Sequence, residues 1–163
     1  MKNTNNTNKR DFAQDIANLT MDMEKVCRTK ETYFCDKINI TPVEFKCLRY
    51  LLENSFPQVK ELASHMNLTA ARVTNLLNSL EKKQYITRSI SHEDRRVIQV
   101  ELTVQGKEFA NTVQDEYIKF HQEIIKTIGD ENELINLLES IKAFKVTLEN
   151  FLKNKENEKI ANN

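Results

Sequence analysis

Residues 90–103 read ISHEDRRVIQVELT and join a run of charge to an alternating apolar segment. Charged or titratable side chains occupy every position from 92 to 96. Apolar and polar residues then alternate, which is the period-two pattern of a half-buried β-strand. The alternating apolar positions are Ile98, Val100 and Leu102. Because YITRSIS at residues 85–91 supplies a second strand-like segment, the stretch predicts a β-hairpin with the charged cluster at its tip.

The rest of the sequence is typical of α-helix. Its 163 residues include only two glycines and two prolines, and 39% of the residues are hydrophobic. Proteins built from many strands need many turns, and turns favour glycine and proline. The composition therefore predicts a mainly helical chain with one small hairpin. The formal net charge is zero, so any surface that attracts a polyanion has to be local.

Two predicted helices precede the hairpin and meet in a tight turn near Asn67. The second lies within TAARVTNLLNSLEKK, residues 69–83, where an i, i+4, i+7 spacing of apolar residues predicts the buried face. Those apolar residues are Val73, Leu77 and Leu80. The polar outer face consists of Arg72, Asn75 and Ser79, with Thr74 and Asn78 beside them. Alone, such a face is typical of a solvated helix, but two helices followed by a hairpin predict a helix-turn-helix with an appended wing.

An earlier helix start is visible in TPVEFKCLRYLL, residues 41–52. Thr41 can cap this helix, Pro42 suits its first position, and Glu44 completes a capping box. The predicted inward face consists of Phe45, Leu48 and Leu52.

Apolar seams run along the predicted helices at both ends of the chain. Near the N-terminus, apolar residues recur at steps of three and four from Phe12 to Val26. A longer seam runs from Leu134 to Leu152, after Gly129, a residue type that favours a helix end. Each seam packs either on the chain's own core or on a second subunit.

The hairpin carries the pattern S-x-x-D-x-R followed by V-x-L-T-x-x-G. Its residues are Ser91, Asp94, Arg96, Val100, Leu102, Thr103 and Gly106. With LTAARVTNLLNSLEKKQYITR and NITPVEFKCLRYL upstream, the chain resembles the MarR family of winged helix-turn-helix transcriptional regulators over roughly residues 12–152. The resemblance implies a mainly α fold with a small β-hairpin wing, the winged helix-turn-helix being embedded between N- and C-terminal dimerisation helices.

The resemblance also implies a division of the chain into five segments. We expect a disordered polar tail at residues 1–10, an N-terminal dimerisation helix and connector at 11–40, and a winged helix-turn-helix DNA-binding lobe at 41–103. C-terminal dimerisation helices would follow at 104–153, and a second polar tail at 154–163. The implied function is that of a regulator, usually a repressor, which binds double-stranded DNA at a pseudo-palindromic operator as a homodimer.

Site residues carried over from the family's pattern lie on the predicted second helix and the wing. Arg96 would enter the minor groove, and Asp94 would brace the wing. The major-groove face would be formed by Thr69, Arg72, Thr74 and Asn75. Arg88 and Arg95 would contact phosphates.

Two positions depart from the family's pattern. Asn75 stands where the family often has arginine, and asparagine pairs with adenine whereas arginine prefers guanine, so we expect a more A·T-weighted half-site. Gln84 stands where the family usually has glycine. If Gln84 adopts a left-handed backbone conformation, the cost is about 1 kcal/mol.

The resemblance implies that a small organic effector releases the DNA by entering a crevice between the dimer helices and the DNA-binding lobe. Thiol oxidation at Cys27 and Cys35 is the alternative, whereas Cys47 lies on an apolar stretch and is expected in the core. On one helix Cys27 and Cys35 would be about 12 Å apart, so a bond between them needs a helix break or a second subunit. The scattered histidines do not favour zinc, and we expect no cofactor.

Several classes of protein are disfavoured by the sequence. It has no nucleophile elbow, phosphate-binding glycine loop or metal-binding helix motif, so we expect no enzyme. No apolar run is long enough to cross a bilayer, and the first residues lack the apolar core of a secretory signal, which predicts a cytoplasmic protein without a membrane partner. A helical dimeric adaptor without DNA binding stays as an alternative, against which Arg72, Asp94 and Arg96 argue.

Overall fold

The structure, a computed structural model, describes residues 5–91 and 94–161, and the side chains of residues 12–91 and 94–160. The elements in chain order are α1 Asn5–Lys37, α2 Pro42–Glu53, α3 Val59–His65, α4 Ala70–Lys82, β1 Ile86–Ile90, β2 Ile98–Leu102, α5 Val104–Ile125 and α6 Glu131–Ala161. This order confirms the predicted mainly α chain with one hairpin. Contacts divide the chain into two compact units, Met1–Tyr117 and Ile118–Asn163.

Helices α2, α3 and α4 pack with the hairpin around one apolar core in the first unit. The residues at its centre, each at most 2% exposed, are Leu48, Leu62, Val73, Leu77, Leu80, Ile86 and Val100. Burying a leucine side chain of this kind stabilises the fold by roughly 1.5–3 kcal/mol. The predicted stripe of α4 is therefore confirmed. The stripe of α2 needs one correction, because Leu51 is buried where Leu52 was expected and Leu52 is only partly buried.

The two strands pair antiparallel, with Ile86 opposite Leu102 and Ile90 opposite Ile98. Strand β2 has a second neighbour, which the sequence pattern did not reveal. The backbone N–H of Val100 donates to the carbonyl of Pro57 (3.0 Å), next to an isolated antiparallel bridge at Gln58. The start of α3 is thus joined to the wing.

The trailing V-x-L-T-x-x-G residues lock the wing to the start of α5. The hydroxyl of Thr103 donates to the carbonyl of Gln84 (2.7 Å) and accepts from the backbone N–H of Gly106 (2.9 Å). A Cβ at Gly106 would lie 1.7 Å from the carbonyl oxygen of Tyr85, so no side chain fits there. The ring of Tyr85 stacks on Phe109 at a centroid distance of 4.3 Å.

Among the described residues, four that are not glycine have a left-handed backbone, and each lies in a connection after a helix. They are Asn39, Phe56, Asn67 and Gln84, with φ between 51° and 61°. Gln84 adopts the left-handed backbone that its replacement of the family's glycine raised as a condition, with a φ of 61°. Asparagine tolerates this conformation better than other non-glycine residues, so Gln84 and Phe56 carry more strain than the two asparagines.

Helical backbone extends into both segments expected as polar tails. Helix α1 begins at Asn5 and α6 ends at Ala161, so residues 5–10 are helical and not a disordered tail. Neither extension contains glycine or proline, and once a helix is nucleated each further residue adds a hydrogen bond. Residues 1–4 and 162–163 of the expected tails lie outside the described residues. No helix in the described part of the chain has the length and hydropathy to span a membrane.

Candidate nucleic-acid interface

The exposed face of α4 begins at a well-formed N-terminus. Thr69 is the N-cap, and its side chain accepts from the backbone N–H of Arg72 (3.4 Å). The first turn contains no acidic residue, so its N–H groups and the helix dipole present a positive end to solvent. The residues expected at the major groove, namely Thr69, Arg72, Thr74 and Asn75, are all exposed. The Thr74 hydroxyl donates to the carbonyl of Ala70 (2.9 Å), which leaves it free only to accept.

Ser79 is not on this outer face, contrary to the sequence interpretation. Its hydroxyl donates to the carboxylate of Glu44 (2.8 Å), and the residue is half-buried. Ser79 is therefore covered by α2, and the solvent-facing polar strip of α4 is shorter than the spacing predicted.

Arg88 joins the first wing strand to α4. Its guanidinium donates to the side-chain oxygen of Asn78 (2.9 Å) and forms an ion pair with Glu81. The hydrogen bond from Arg88, with its positive charge, holds the pKa of the Glu81 carboxyl below its ordinary value. The sequence expected Arg88 at a phosphate, but the structure gives its guanidinium two partners within the chain.

The tip of the wing is a turn organised by Asp94. The Asp94 carboxylate accepts from the backbone N–H of Arg96 (2.9 Å), and its carbonyl accepts from Val97 (2.9 Å). With the backbone held in this way, the side chains of Arg95 and Arg96 extend into solvent. His92 and Glu93, which belong to the charged cluster, lie outside the described residues.

A buried carboxylate connects the start of α2 to the end of α4. Glu44 is 2% exposed and forms the predicted capping box with Thr41. It also accepts from Ser79 and from the ammonium of Lys83 (2.8 and 2.9 Å). Burial alone would raise the pKa of the Glu44 carboxyl, but the hydrogen bonds from Lys83, Thr41 and Ser79 outweigh burial and lower it. The spacing of Thr41 and Glu44 predicted the capping box, but it did not reveal the hydrogen bonds from Ser79 and Lys83.

One lobe thus combines an exposed helix face, a turn that bears two arginines, and a hairpin that is fastened to that helix. Residues 40–98, which contain the helix face, the turn and the hairpin as far as the first residue of β2, match the model of the MarR family. Over these 59 residues, about a third of its length, the chain is similar to the MarR family.

The relatives that the chain matches are regulators by description. The chain is 32% identical over 93 residues to YpoP of Bacillus subtilis (strain 168), described as an uncharacterized HTH-type transcriptional regulator. The match covers 57% of this chain and 65% of YpoP, slightly less than two thirds of that protein.

Solved structures show the same fold. Apo wild-type MarR from E. coli has a TM-score of 0.71 at 20% identity, covering 78% of this chain and 94% of that one. The S. aureus MepR–DNA complex has a TM-score of 0.61 at 20% identity, covering 80% of this chain and 96% of that one. The chain therefore has the winged-helix fold of these structures.

The three thiols of the protein differ in exposure. Cys27 is exposed, whereas Cys35 and Cys47 are fully buried, which confirms the expectation for Cys47. Burial, with the nearby Glu31 and Asp36 carboxylates, raises the pKa of Cys35 to about 11. Burial likewise raises that of Cys47 to about 12. Thiolates react and thiols do not, so Cys35 is a poor redox centre.

Helix α1 runs unbroken through both Cys27 and Cys35. The eight-residue separation corresponds to about 12 Å along the axis, beyond the reach of a disulfide within one chain. A concave site of about 310 Å³ lies beside Cys27. Its lining residues are Glu24, Cys27, Arg28, Lys30, Glu31, Lys46 and Tyr117. Among the described residues, no three His, Cys, Asp or Glu side chains are grouped as a metal site would require.

Proposed function

We propose that this protein is a cytoplasmic transcriptional regulator of the MarR family, a repressor that binds a pseudo-palindromic operator as a homodimer and is released by a small effector. The observation that carries the proposal is the wing tip, where Asp94 holds the turn that presents Arg95 and Arg96. An arginine on a preformed turn suits the narrow, electronegative minor groove, because its guanidinium is always charged and weakly hydrated.

The proposed contacts divide into those that read bases and those that hold the backbone. Arg72 and Asn75 meet base edges in the major groove, Asn75 favouring adenine and hence an A·T-weighted half-site. Thr69, Thr74 and Arg95 contact the backbone, while Arg96 enters the minor groove. Arg88 reaches a phosphate only by sharing its guanidinium with Glu81, so its main contribution is to hold the wing.

The homodimer is supported by apolar residues that single-chain packing leaves uncovered. On α1 the exposed apolar side chains include Phe12, Ile16, Leu19 and Val26. On α6 they include Leu137, Leu138, Ile141, Leu148 and Phe151. Monomeric proteins rarely expose so many apolar residues on one helix face, whereas homodimer interfaces are rich in them. The proposed segments are those expected from the sequence: dimerisation residues at 11–40 and 104–153 around a DNA-binding lobe at 41–103.

The decisive experiment is the affinity of the Arg96→Ala variant for DNA from the regulator's own upstream region, measured over a series of salt concentrations. We expect weaker binding to every sequence, by about 1–3 kcal/mol, with a shallower salt dependence. Lys142→Ala, which removes an exposed cation from α6, is the control and should bind as the unaltered protein does. Equal affinity of Arg96→Ala and the unaltered protein would falsify the assignment of the wing.

The concave site beside Cys27 is our candidate for a small organic effector, because it contains the aromatic ring of Tyr117 with the Lys30 ammonium 5.7 Å from its centroid. Lys46 in the same site is already paired with Glu31 (3.0 Å), so a planar organic acid would bind chiefly at Tyr117 and Lys30. Titration of such acids against the DNA complex tests the proposal, which fails if none of them releases DNA while an unrelated trigger does.

Thiol sensing is the second candidate, and the exposure of Cys27 favours it. With Cys35 buried on the same straight helix, oxidation would act at Cys27 alone, as a sulfenic acid or a bond to another molecule. DNA affinity should then be lost with diamide and restored with reductant, and Cys27→Ser should be insensitive. If the reduced and oxidised proteins bind equally well, the thiols do not control binding.

A further inference from the structure

The carboxylate of Glu44 makes more hydrogen bonds than a helix cap requires. One oxygen accepts from the backbone N–H of Thr41 (2.9 Å), which completes the capping box. The carboxylate also accepts from Ser79 (2.8 Å) and Lys83 (2.8 and 2.9 Å), which lie 35 and 39 residues away. Capping boxes form at exposed helix ends, so capping does not explain why this carboxylate is 2% exposed.

We propose that Glu44 is a positioning residue that sets the pose of recognition helix α4 against α2, and through that pose the affinity for DNA. This inference rests on the proposed function, in which α4 enters the major groove. Glu44 itself is buried in the lobe, and its partners Ser79 and Lys83 lie toward the C-terminal end of α4, beyond the exposed residues Arg72 and Asn75.

The apolar contacts of α4 do not define its pose to the accuracy that base recognition needs. Leu76, Leu77 and Leu80 hold the helix against the core, but hydrophobic attraction has no direction and allows a helix to slide or turn slightly. Hydrogen bonds are directional, and a charge-assisted pair in a low-dielectric interior is among the stronger ones. Ser79 and Lys83, one helical turn apart on α4, bind the same carboxylate and so fix both the rotation and the height of the helix.

The wing depends on the same anchor. Arg88 binds Asn78 and Glu81 on α4. Asn78 directly precedes Ser79, and Glu81 lies between Ser79 and Lys83, the two residues that Glu44 holds. A displacement of the C-terminal end of α4 would therefore move the wing and Arg96 with it. Glu44 consequently positions two DNA-contacting elements while contacting neither groove.

The experiment separates the two roles of Glu44 by substituting its partners. Thr41→Ala removes the cap and leaves the bonds to α4, whereas Lys83→Met removes the ion pair and leaves the cap. Glu44→Gln keeps a capping-box side chain but loses the charge. Urea unfolding first establishes that each variant is folded at the assay temperature, and affinity for the regulator's own upstream DNA is then measured at several salt concentrations.

We expect Lys83→Met and Glu44→Gln to weaken DNA binding on the order of tenfold, within the range for coupled neighbours, and the double variant to be no weaker than either. Lys83→Arg, which can keep the ion pair, should restore affinity, and Thr41→Ala should bind normally despite lower stability. If the DNA affinity of Lys83→Met depends on salt as that of the unaltered protein does, Lys83 acts through Glu44 and not through a phosphate contact.

Two results would overturn the inference. One is normal binding by Lys83→Met and Glu44→Gln. The other is an additive double variant in which Lys83→Met lowers the salt slope by about 0.9, as expected for a lost phosphate contact. If the unaltered protein fails to bind any DNA, the proposed function is wrong and the inference falls with it, a result distinct from selective loss in the variants.

Discussion

The winged helix-turn-helix lobe and helix α6 use their hydrophobic residues in opposite ways. In the lobe, Leu48, Leu62 and Leu80 are completely buried. On α6, Leu138 is 52% exposed and Phe151 is 57% exposed, and no described side chain of that helix is buried. The lobe therefore forms its own core, while α6 keeps an apolar face that one copy of the chain leaves uncovered.

This difference separates the part of the chain that forms its own core from the part to which we assign the proposed dimer interface. Apolar burial contributes roughly 25 cal/mol per Å², so the lobe gains its stability from contacts within the chain. The apolar side chains of α6 can contribute this free energy of burial only when another surface covers them. Stability of the lobe and association of the subunits should thus respond to different substitutions.

The largest effect is expected for Leu148→Glu on the apolar face of α6. A carboxylate buried without a partner in both subunits should raise the dimer dissociation constant at least about a hundredfold, measured by analytical ultracentrifugation. Val146→Glu is the matched control, because two residues along a helix are about 200° apart and Val146 lies off the seam. Equal dissociation constants for the two variants would show that this face is not the interface.

A core substitution in the lobe should have the next largest effect, and on folding alone. Leu77→Ala should lower the free energy of unfolding by about 2–5 kcal/mol, because it removes buried methyl groups and leaves a cavity. Urea unfolding measures this, with exposed Val43→Ala as a control that should cost far less. The contrast between lobe and α6 would be lost if Leu77→Ala also dissociated folded dimers.

A smaller effect should appear in the pH dependence of the lobe. The pKa of Glu44 in the folded protein lies below its unfolded value of about 4.5. Its ionised form therefore stabilises the fold above pH 4.5, and this stabilisation is lost as the pH falls through the folded pKa. Between pH 6 and pH 3, the free energy of unfolding should fall less steeply for Glu44→Gln than for the unaltered protein. An unchanged slope would mean that other carboxylates account for acid destabilisation.

The smallest effect concerns the turn between α4 and the wing. Gln84→Gly should stabilise the lobe by about 1 kcal/mol, because glycine adopts the left-handed conformation without strain but adds some entropy to the unfolded chain. Asn67→Gly should gain less, since asparagine tolerates this conformation. Thermal unfolding of both variants tests the ranking, which is wrong if Asn67→Gly gains as much.

Local spacing predicted the elements well because each signal lies within one turn or one strand. The period of Val73, Leu77 and Leu80 gave the buried face of α4, and the alternation around Val100 gave the hairpin. Contacts between distant positions were missed. Ser79 was expected in solvent, and nothing within one helical turn reveals that Glu44, 35 residues earlier, holds it.

The candidate site shows the same limit. Arg88 was expected at a phosphate because the resemblance to the family places an arginine contact there. Its engagement by Glu81 depends on how the strand packs on α4, which spacing does not show. The exposure of Thr69, Arg72, Thr74 and Asn75 agrees with expectation, while their contacts with DNA stay a prediction.

The close approach of Gly106 to Tyr85 has a consequence for genetics. A screen for loss of regulation will recover substitutions at position 106, because any Cβ would collide with the Tyr85 carbonyl. Such mutants would fail to repress although Gly106 touches neither DNA nor effector in our proposal. A phenotype at this position therefore reports misfolding of the junction, and only substitutions that leave the protein abundant in the cell identify residues of the operator interface.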